Sequence, residues 1–236
     1  LRGLDRLGIR AVFFVTTSRV EGRGDRIRAQ AELLKDIVDR GHVVGNHTAD
    51  HEQLTLLDSR DARAQVVRAE EAIERIIGQR PYLFRPPYGA RSARIDRILA
   101  ERDYTTVLWN IGSGDFQVTD PEIVFDTWRR VLARVEREEG ERGGIVLMHD
   151  THPWTVRALP RIVDWIRRRN CELLETDEEL FDIVDDPALF FQARAADDDP
   201  SASAPSAVVP PHILRARQAR VRADAEVRCR ALASAE

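Results

Sequence analysis

The sequence has little lysine, little cysteine and no long apolar run, and each shortage narrows the class of protein. Lys35 is the only lysine, and the formal net charge is -4. Because nucleic acids and anionic membranes select a concentrated basic surface, neither is expected as a partner. Cys171 and Cys229 lie far apart and outside metal-ligand spacing. The sequence therefore predicts neither a disulfide framework nor a cysteine–zinc site.

Apolar runs are also short. None approaches the roughly 18 residues of a membrane span, so no transmembrane segment is predicted. The opening residues LRGLDRLGIR lack the apolar stretch of a signal peptide, and localisation cannot be inferred from them. The first residue is leucine, which suggests a fragment of a longer product, and the dominance of arginine over lysine is typical of a GC-rich bacterium.

The composition is that of a globular protein, with 43% hydrophobic and 32% charged residues over 236 positions. Short β-branched runs alternate with stretches of helical periodicity, which predicts successive βα units. This pattern fits an open doubly wound sheet or a closed barrel equally well. Strands are predicted near 11–16, 42–46, 81–84, 104–109, 145–149 and 171–174, and helices at 27–40, 61–77, 93–102, 121–138 and 156–169, with 1–7 as the end of another helix.

The composition changes after residue 191. Residues 1–191 are predicted to form the main domain, and 192–211 are rich in aspartate, proline, serine and alanine, which is typical of a linker. The arginine-rich segment 213–232 has sparse apolar residues. We predict a disordered tail or a frayed helix there.

Two polar segments, HTADH and RPPYG, stand just beyond predicted strands. His47 and His51 are four residues apart, so on a helical turn both imidazoles share one face and could hold a divalent ion such as zinc. The alternative is a pair of surface or capping histidines. Arg85 and Tyr88 belong to the segment RPPYG, where the arginine could pair with a buried carboxylate and the Tyr88 N–H could face an oxyanion. The alternative there is a rigid turn with an exposed arginine.

Two further segments also follow strands. Asp115 and Phe116 come after a glycine-rich loop, where an aspartate next to an aromatic residue is usually structural. The apolar run 145–148 leads to His149, which could be a satisfied core residue or a general acid whose pKa is tuned by a carboxylate such as Asp115. Since the carboxyl ends of strands carry the catalytic residues of α/β proteins, four such segments together favour an active site. No catalytic role is assigned to the three other histidines that follow neither pattern, His42, His152 and His212.

The segments GIRAVFFV, HTADH, RPPYGA, 109–116 and VLMHD occur in an order that resembles the polysaccharide deacetylases of carbohydrate esterase family four, over residues 1–185. The resemblance implies a distorted (β/α) barrel, usually extracytoplasmic or at the cell envelope. It also implies that a metal, usually zinc, activates water to attack the N-acetyl group of an acetylated amino-sugar polysaccharide. His47 and His51 match the metal ligands, His149 matches the general acid, and Asp115 matches the carboxylate that tunes it.

The same resemblance assigns the remaining residues to substrate handling. Arg85 matches the arginine that orients the catalytic carboxylate, and the backbone of Tyr88 would stabilise the oxyanion. Leu147 matches the residue that lines the acetyl-methyl pocket. Phe116 stands where the family usually has tryptophan, which keeps an apolar wall but removes an indole donor.

One family segment does not occur in this chain. Thr-Phe-Asp-Asp, which normally lies on the first strand, supplies the general base and the third metal ligand. We therefore expect an amino-terminally truncated deacetylase with the first strand missing, inactive or nearly so. A pseudoenzyme that binds glycan or a partner, and a hydrolase of small amides or cyclic ureides, are the alternatives. The polymer, the metal and the oligomeric state remain open at this stage.

Overall fold

The protein is described by a computed structural model that covers residues 1–140, 142–190 and 209–234. Its chain divides into two compact units. The first contains Arg10–Leu108, and the second contains Arg2–Ile9, Trp109–Ile183 and the C-terminal helix. The division after Leu108 falls inside the predicted domain 1–191. Most of the predicted linker, residues 192–208, lies outside the described residues.

The described residues form short parallel strands and longer α-helices. Their bounds in chain order are α1 (Arg2–Leu7), β1 (Val12–Val15), α2 (Asp25–Asp39), β2 (Val43–Asn46), α3 (Ser59–Ile77), β3 (Leu83–Phe84), α4 (Ala93–Ala100), β4 (Thr105–Thr106), β5 (Ile111–Gly112), α5 (Pro121–Glu139), β6 (Val146–Leu147), α6 (Pro153–Glu175) and α7 (Pro211–Ala233).

The first unit contains a four-stranded sheet in the order β1-β2-β3-β4, with every pair parallel. The second unit pairs β5 with β6, also in parallel. Parallel neighbours need a crossover connection, and in the first unit α2, α3 and α4 supply it. The α/β character predicted from the alternating pattern is therefore confirmed.

Helix ends follow capping chemistry that is readable in the sequence. The side chain of Asp58 accepts a hydrogen bond from the N–H of Asp61 at the start of α3, and Ser92 does the same for Ile95 in α4. Gly78 ends α3 in the left-handed conformation, with φ of 72°. These caps set where α3 and α4 begin and where α3 ends.

The strand predicted at 171–174 is wrong, because α6 continues through it to Glu175. Leu173 is buried with Ile162 on the same side of the helix, so Leu173 follows the helical period rather than a strand period. The chain reverses only later, where the side chain of Asn170 bonds the N–H and C=O of Phe181 at 2.9 Å each. The strand at Ile111–Gly112 was not predicted as such, since it lies just beyond the predicted strand 104–109.

The first unit has a core between α3, α4 and the sheet, and one buried charge lies at its edge. Glu70 of α3 is 5% exposed and pairs with Arg80, at 3.2 Å, and with Arg102. Burial raises the pKa of Glu70, but the hydrogen bonds from Arg102 and Arg80 outweigh it and leave the pKa below its ordinary value. The ionised carboxylate therefore ties the middle of α3 to one residue that follows α3 and one that follows α4.

This pairing predicts a specific pH dependence of stability. A carboxyl group whose pKa is lowered by folding contributes stability above its unfolded pKa, near 4.5, and that contribution is lost as the pH falls through the folded value. We expect Glu70→Gln to lower the free energy of unfolding by about 2 kcal/mol at pH 7 and by progressively less toward pH 3. Urea titrations across this range measure it. The neighbouring exposed residue provides the control, Glu71→Gln, and an equal loss there at pH 7 would contradict the assignment.

The second unit packs α5 and α6 around Trp128, which is 1% exposed. Helix α7 joins this core through Ala225 and Val221. The segment predicted as a disordered or frayed tail is therefore a packed helix over Pro211–Ala233 in the structure. No helix among the residues that the structure describes has the length and apolarity of a membrane span.

A disulfide explains why α7, a helix with few apolar residues, packs against α6. Cys171 of α6 and Cys229 of α7 are bonded, with their Cα atoms 5.7 Å apart, so the prediction that these cysteines form no disulfide is wrong. Arg217 of α7 also forms two hydrogen bonds to Asp182, at 2.8 and 3.0 Å, and is 7% exposed. A covalent link and a buried ion pair hold α7 where its few apolar residues alone would not.

Candidate functional site

The first candidate feature is the histidine turn, residues 46–51, which directly follows β2. Thr48 and His51 have φ values of 69° and 62°, a region that non-glycine residues rarely occupy. Asn46, which is completely buried, accepts a hydrogen bond from the Thr48 N–H at 2.8 Å, and Thr48 Oγ1 accepts one from the His51 N–H at 3.0 Å. Conformations of this kind persist where the surroundings impose them, and they are common at functional sites.

The turn brings the two predicted metal ligands together. The rings of His47 and His51 lie 4.8 Å apart between centroids at an angle of 77°. Nδ1 of His47 lies 2.6 Å from the carbonyl oxygen of Arg85, a contact that requires the proton on Nδ1 and places the lone pair on Nε2. An imidazole whose second nitrogen donates to a carbonyl is the usual arrangement of a metal-binding histidine.

The fit of a zinc ion can be judged from these donors. Structural and catalytic zinc sites use at least three protein ligands, and two neighbouring imidazoles suit two of these positions. Within residues 1–140, 142–190 and 209–234, no group of three or more His, Cys, Asp or Glu side chains could hold a metal. The described part of the chain therefore supplies two ligands of such a site and does not complete it.

Arg85 lies under this turn rather than on the surface. It is 8% exposed, its Nε donates to the carbonyl oxygen of Val107 at 3.1 Å, and its guanidinium stacks 4.2 Å from the ring centroid of Phe14. Burial lowers the pKa of Arg85 to about 10, so the side chain stays charged at neutral pH. The alternative of an exposed arginine on a rigid turn is thus wrong, and its role toward a catalytic carboxylate stays a prediction.

Tyr88 is the exposed member of the group. It has φ of 61° inside a short turn, and 67% of the residue is exposed. Its ring meets that of His51 edge to face, 5.0 Å between centroids. The structure therefore brings the Tyr88 ring to the histidine turn, while the oxyanion role of its N–H stays a prediction.

The buried support of the histidine turn was not predicted. The amide of Asn46 donates to the Val66 carbonyl at 3.0 Å and to the hydroxyl of Tyr104 at 2.9 Å. A buried asparagine that bonds three separate segments holds the end of β2 against α3 and β4. Only its position, one residue before the histidine, could have pointed to it.

Removing one of these bonds should loosen the turn measurably. We expect Tyr104→Phe to lower the free energy of unfolding by about 1–2 kcal/mol, because a buried N–H of Asn46 loses its acceptor. Urea denaturation measures this. Tyr82→Phe, at a half-buried tyrosine of the same unit, should change the value by less than about 0.5 kcal/mol. Equal losses in the two variants would show that the Asn46 bond contributes nothing special.

The second candidate feature lies in the other unit and consists of Asp115 and His149. Nδ1 of His149 is 2.8 Å from Oδ1 of Asp115, and the His149 backbone N–H donates to Oδ2 at 2.6 Å. The carboxylate is 1% exposed, whereas the imidazole is 40% exposed. This geometry places the ring proton of Nδ1 on the carboxylate side and leaves Nε2 as the nitrogen for proton transfer. The alternative that His149 is a satisfied core residue does not fit its exposure.

Two residues that follow β6 complete the surroundings of Asp115. Thr155 Oγ1 donates to Oδ2 at 2.8 Å, and the indole N–H of Trp154 donates to the Asp115 carbonyl at 2.7 Å. Burial raises the pKa of Asp115, but the hydrogen bonds from His149 and Thr155 outweigh it and leave the pKa below its ordinary value. Asp115 is therefore ionised at neutral pH. The sequence offers little signal for these contacts except that both residues open the helix after VLMHD.

The remaining predicted residues flank this pair. Phe116 is 62% exposed, and its ring lies 6.1 Å from that of His149. Leu147 is half-buried in β6, and its carbonyl accepts a hydrogen bond from Ser113. His152, to which no role was assigned, stacks on Trp154 at 4.8 Å and 11°. The acetyl-pocket role of Leu147 and the wall role of Phe116 are not tested by these contacts.

Comparison with known proteins places the chain in a family. The sequence model described as polysaccharide deacetylase matches residues 1–107. A T48 deacetylase solved with substrate is 31% identical, with a TM-score of 0.57 over 79% of this chain and 81% of that one. A family 4 carbohydrate esterase from Streptomyces lividans, in complex with acetate, is 25% identical, with a TM-score of 0.59 over 84% of this chain and 88% of that one.

Among curated proteins, a peptidoglycan-N-acetylglucosamine deacetylase, PgdA, of Listeria monocytogenes is 29% identical over 74% of this chain and 34% of its own length. The chain spans only about a third to a half of the length of the first curated relatives it matches. The chain belongs to the polysaccharide deacetylase family, carbohydrate esterase family four. Its α/β fold matches the solved members of that family, which confirms the predicted fold class.

Proposed function

We propose that the protein is a hydrolase that removes N-acetyl groups from an amino-sugar polysaccharide. Family membership supports the class of reaction, since the relatives include peptidoglycan and chitin deacetylases by name. The observation that carries the proposal is the Asp115–His149 pair, a buried ionised carboxylate behind a partly exposed imidazole. Such a pair is suited to donating a proton near neutral pH.

Each step of amide hydrolysis can be assigned by chemistry. Water adds to the acetyl carbon, the C–N bond breaks, and acetate leaves with the oxygen of the water. The amine nitrogen leaves with the proton that Nε2 of His149 donates, and the proton released by the water restores the imidazole. Asp115 holds the proton of Nδ1 throughout, so the imidazolium is stabilised before transfer.

We propose zinc as the metal, with His47 and His51 as two of its ligands. When bound, zinc supplies Lewis-acid chemistry for the attack on the amide. Two contacts in this chain prepare the ligands for the metal. The Arg85 carbonyl sets the tautomer of His47, and Asn46 holds the strained turn in place. Arg85 keeps a positive charge beneath the turn, where a carboxylate ligand or base would be favoured.

The exposed aromatic side chains indicate the class of substrate. Tyr88 and Phe116 present aromatic rings to solvent in their respective units, and such rings commonly pack on the apolar faces of sugars. We therefore propose an extended glycan rather than a small amide as the substrate. Peptidoglycan is the first polymer to test because PgdA is named for it.

The proposal is tested by zinc stoichiometry and acetate release, on chitooligosaccharide and on peptidoglycan. The chain is assayed as it stands and beside a version extended through any in-frame upstream Thr-Phe-Asp-Asp segment. Zinc-dependent acetate release by either version supports the proposal. Glycan binding without acetate release from both versions would overturn it in favour of a non-catalytic role, and release from small amides alone would favour the other hydrolase class.

Zinc affinity tests the role of the histidine turn separately from acetate release. We expect the double variant His47→Ala/His51→Ala to lower zinc affinity by at least tenfold in direct titration, because both imidazole ligands are removed. His42→Ala removes a buried histidine of the same unit outside the turn, and it should leave zinc affinity unchanged. Unchanged affinity in the double variant would locate zinc elsewhere.

A further inference from the structure

The carboxylate of Asp115 makes more hydrogen bonds than contact with an imidazole requires. Oδ1 faces Nδ1 of His149, and Oδ2 accepts from the His149 N–H at 2.6 Å and from Thr155 Oγ1 at 2.8 Å. Thr155 is 3% exposed and lies in the first turn of α6. A buried hydroxyl aimed at an ionised carboxylate forms a charge-assisted bond, which is stronger than a neutral one.

The loop that carries Asp115 needs such support. Asp115 lies between β5 and α5, directly after Gly114, which has φ of 67°. The indole N–H of Trp154 holds the backbone carbonyl of Asp115, so it fixes the main chain but not the side-chain torsion. The hydroxyl of Thr155 acts on the side-chain torsion, because together with the His149 N–H it anchors Oδ2, the oxygen opposite the one that meets the His149 imidazole.

We propose that Thr155 is a positioning residue, which acts through Asp115 to hold the imidazole of His149 in the orientation for proton donation. This inference rests on the proposed function for its catalytic meaning, while its structural part stands on the three hydrogen bonds to the carboxylate. Neither the family motifs nor the strand-end pattern points to this threonine.

Other titratable side chains lie near His149. His152, at the start of α6, has its ring 5.7 Å from that of His149, and Asp150 is adjacent in sequence. Phe116 packs from the loop before α5 and carries no charge. Thr155 is neutral at any working pH, so replacing it changes the hydrogen bonding of Asp115 without changing the charge around His149.

The test compares Thr155→Val, which keeps the shape but removes the hydroxyl, with Thr155→Ser, which keeps the donor. In the version of the protein that releases acetate, we expect Thr155→Val to lower kcat by roughly ten- to a hundredfold, with KM within about twofold. Thr155→Ser should stay within about threefold of the parent. A loss shared equally by valine and serine, or a change in KM alone, would overturn the positioning role.

A second readout does not depend on activity. Carbon-13 NMR of the carboxyl groups follows the titration of Asp115, whose pKa should rise in Thr155→Val because burial persists while one stabilising bond is lost. In Thr155→Ser it should remain low. If no version releases acetate, a rise in valine alone still supports the positioning role while the proposed function fails. An unchanged midpoint in the valine variant overturns the inference even if the enzyme is active.

Folding must be checked first, because Thr155 is buried. Circular dichroism at increasing temperature reports whether Thr155→Val keeps a cooperative transition. If it does not, Thr155→Cys replaces it, since a thiol fits the space but is a weak donor. The cysteine variant should then show the same lower kcat and raised Asp115 pKa, and parent-like values for both would overturn the proposal.

Discussion

In a version of the protein that releases acetate, replacing His149 with glutamine is expected to lower kcat by roughly two to four orders of magnitude. Glutamine can still donate a hydrogen bond to Oδ1 of Asp115, so the carboxylate keeps a partner and the fold should be preserved. What it cannot do is carry a transferable proton near neutral pH. The amine would then have to leave as an anion or take its proton from water, and both routes are much slower.

The matched control for this variant is His152→Gln. Its ring lies 5.7 Å from that of His149, and it shares the same stretch of chain, but it stacks on Trp154 rather than contacting the carboxylate. We expect its kcat to fall by less than about threefold. Steady-state kinetics on the same substrate, with zinc content measured for each variant, separates the two. A comparable loss in both variants would assign the effect to the surface around α6 rather than to proton transfer.

Removing the disulfide is expected to lower the free energy of unfolding of the second unit by about 4 kcal/mol. The estimate follows from closing a loop between residues separated by 58 positions, which restricts the unfolded chain. The pair Cys171→Ser/Cys229→Ser removes the link while keeping small polar side chains. Since α7 has few apolar contacts, its docking should weaken first, with Ala225 and Val221 losing protection from hydrogen exchange.

Reductant provides the internal control. Chemical denaturation of the parent should shift to lower denaturant on reduction, whereas the double serine variant should be insensitive to it. Arg217→Met tests the other tether without touching the disulfide, and its effect should add to that of the serine variant if the two act independently. Two free thiols in the unreduced parent, detected by mass after alkylation, would contradict the bond altogether.

Some elements of the fold agree with the sequence-based predictions, and others differ from them for identifiable reasons. The predicted helix at 121–138 appears at Pro121–Glu139, because a proline and an aspartate cap open it and an αL glycine closes it. The predicted strand at 171–174 is wrong because so short a run with two leucines cannot be told from the end of a buried helix by periodicity. The packing of the helix at 213–232 was not predicted for a related reason. Its docking depends on a covalent link and an ion pair rather than on its own periodicity.

The sequence by itself indicated the chemistry-bearing residues His47, Arg85 and His149, because each directly follows a short apolar strand segment that local patterns can find. It also determined the family, through motifs that are short and ordered. Only the tertiary structure decided what supports the histidine turn and Asp115, through the Asn46–Tyr104 and Thr155–Asp115 contacts, and what holds α7, through the Cys171–Cys229 bond. The residues in these contacts are separated in sequence by 58, 40 and 58 residues, and local periodicity does not indicate which residues pair over such separations.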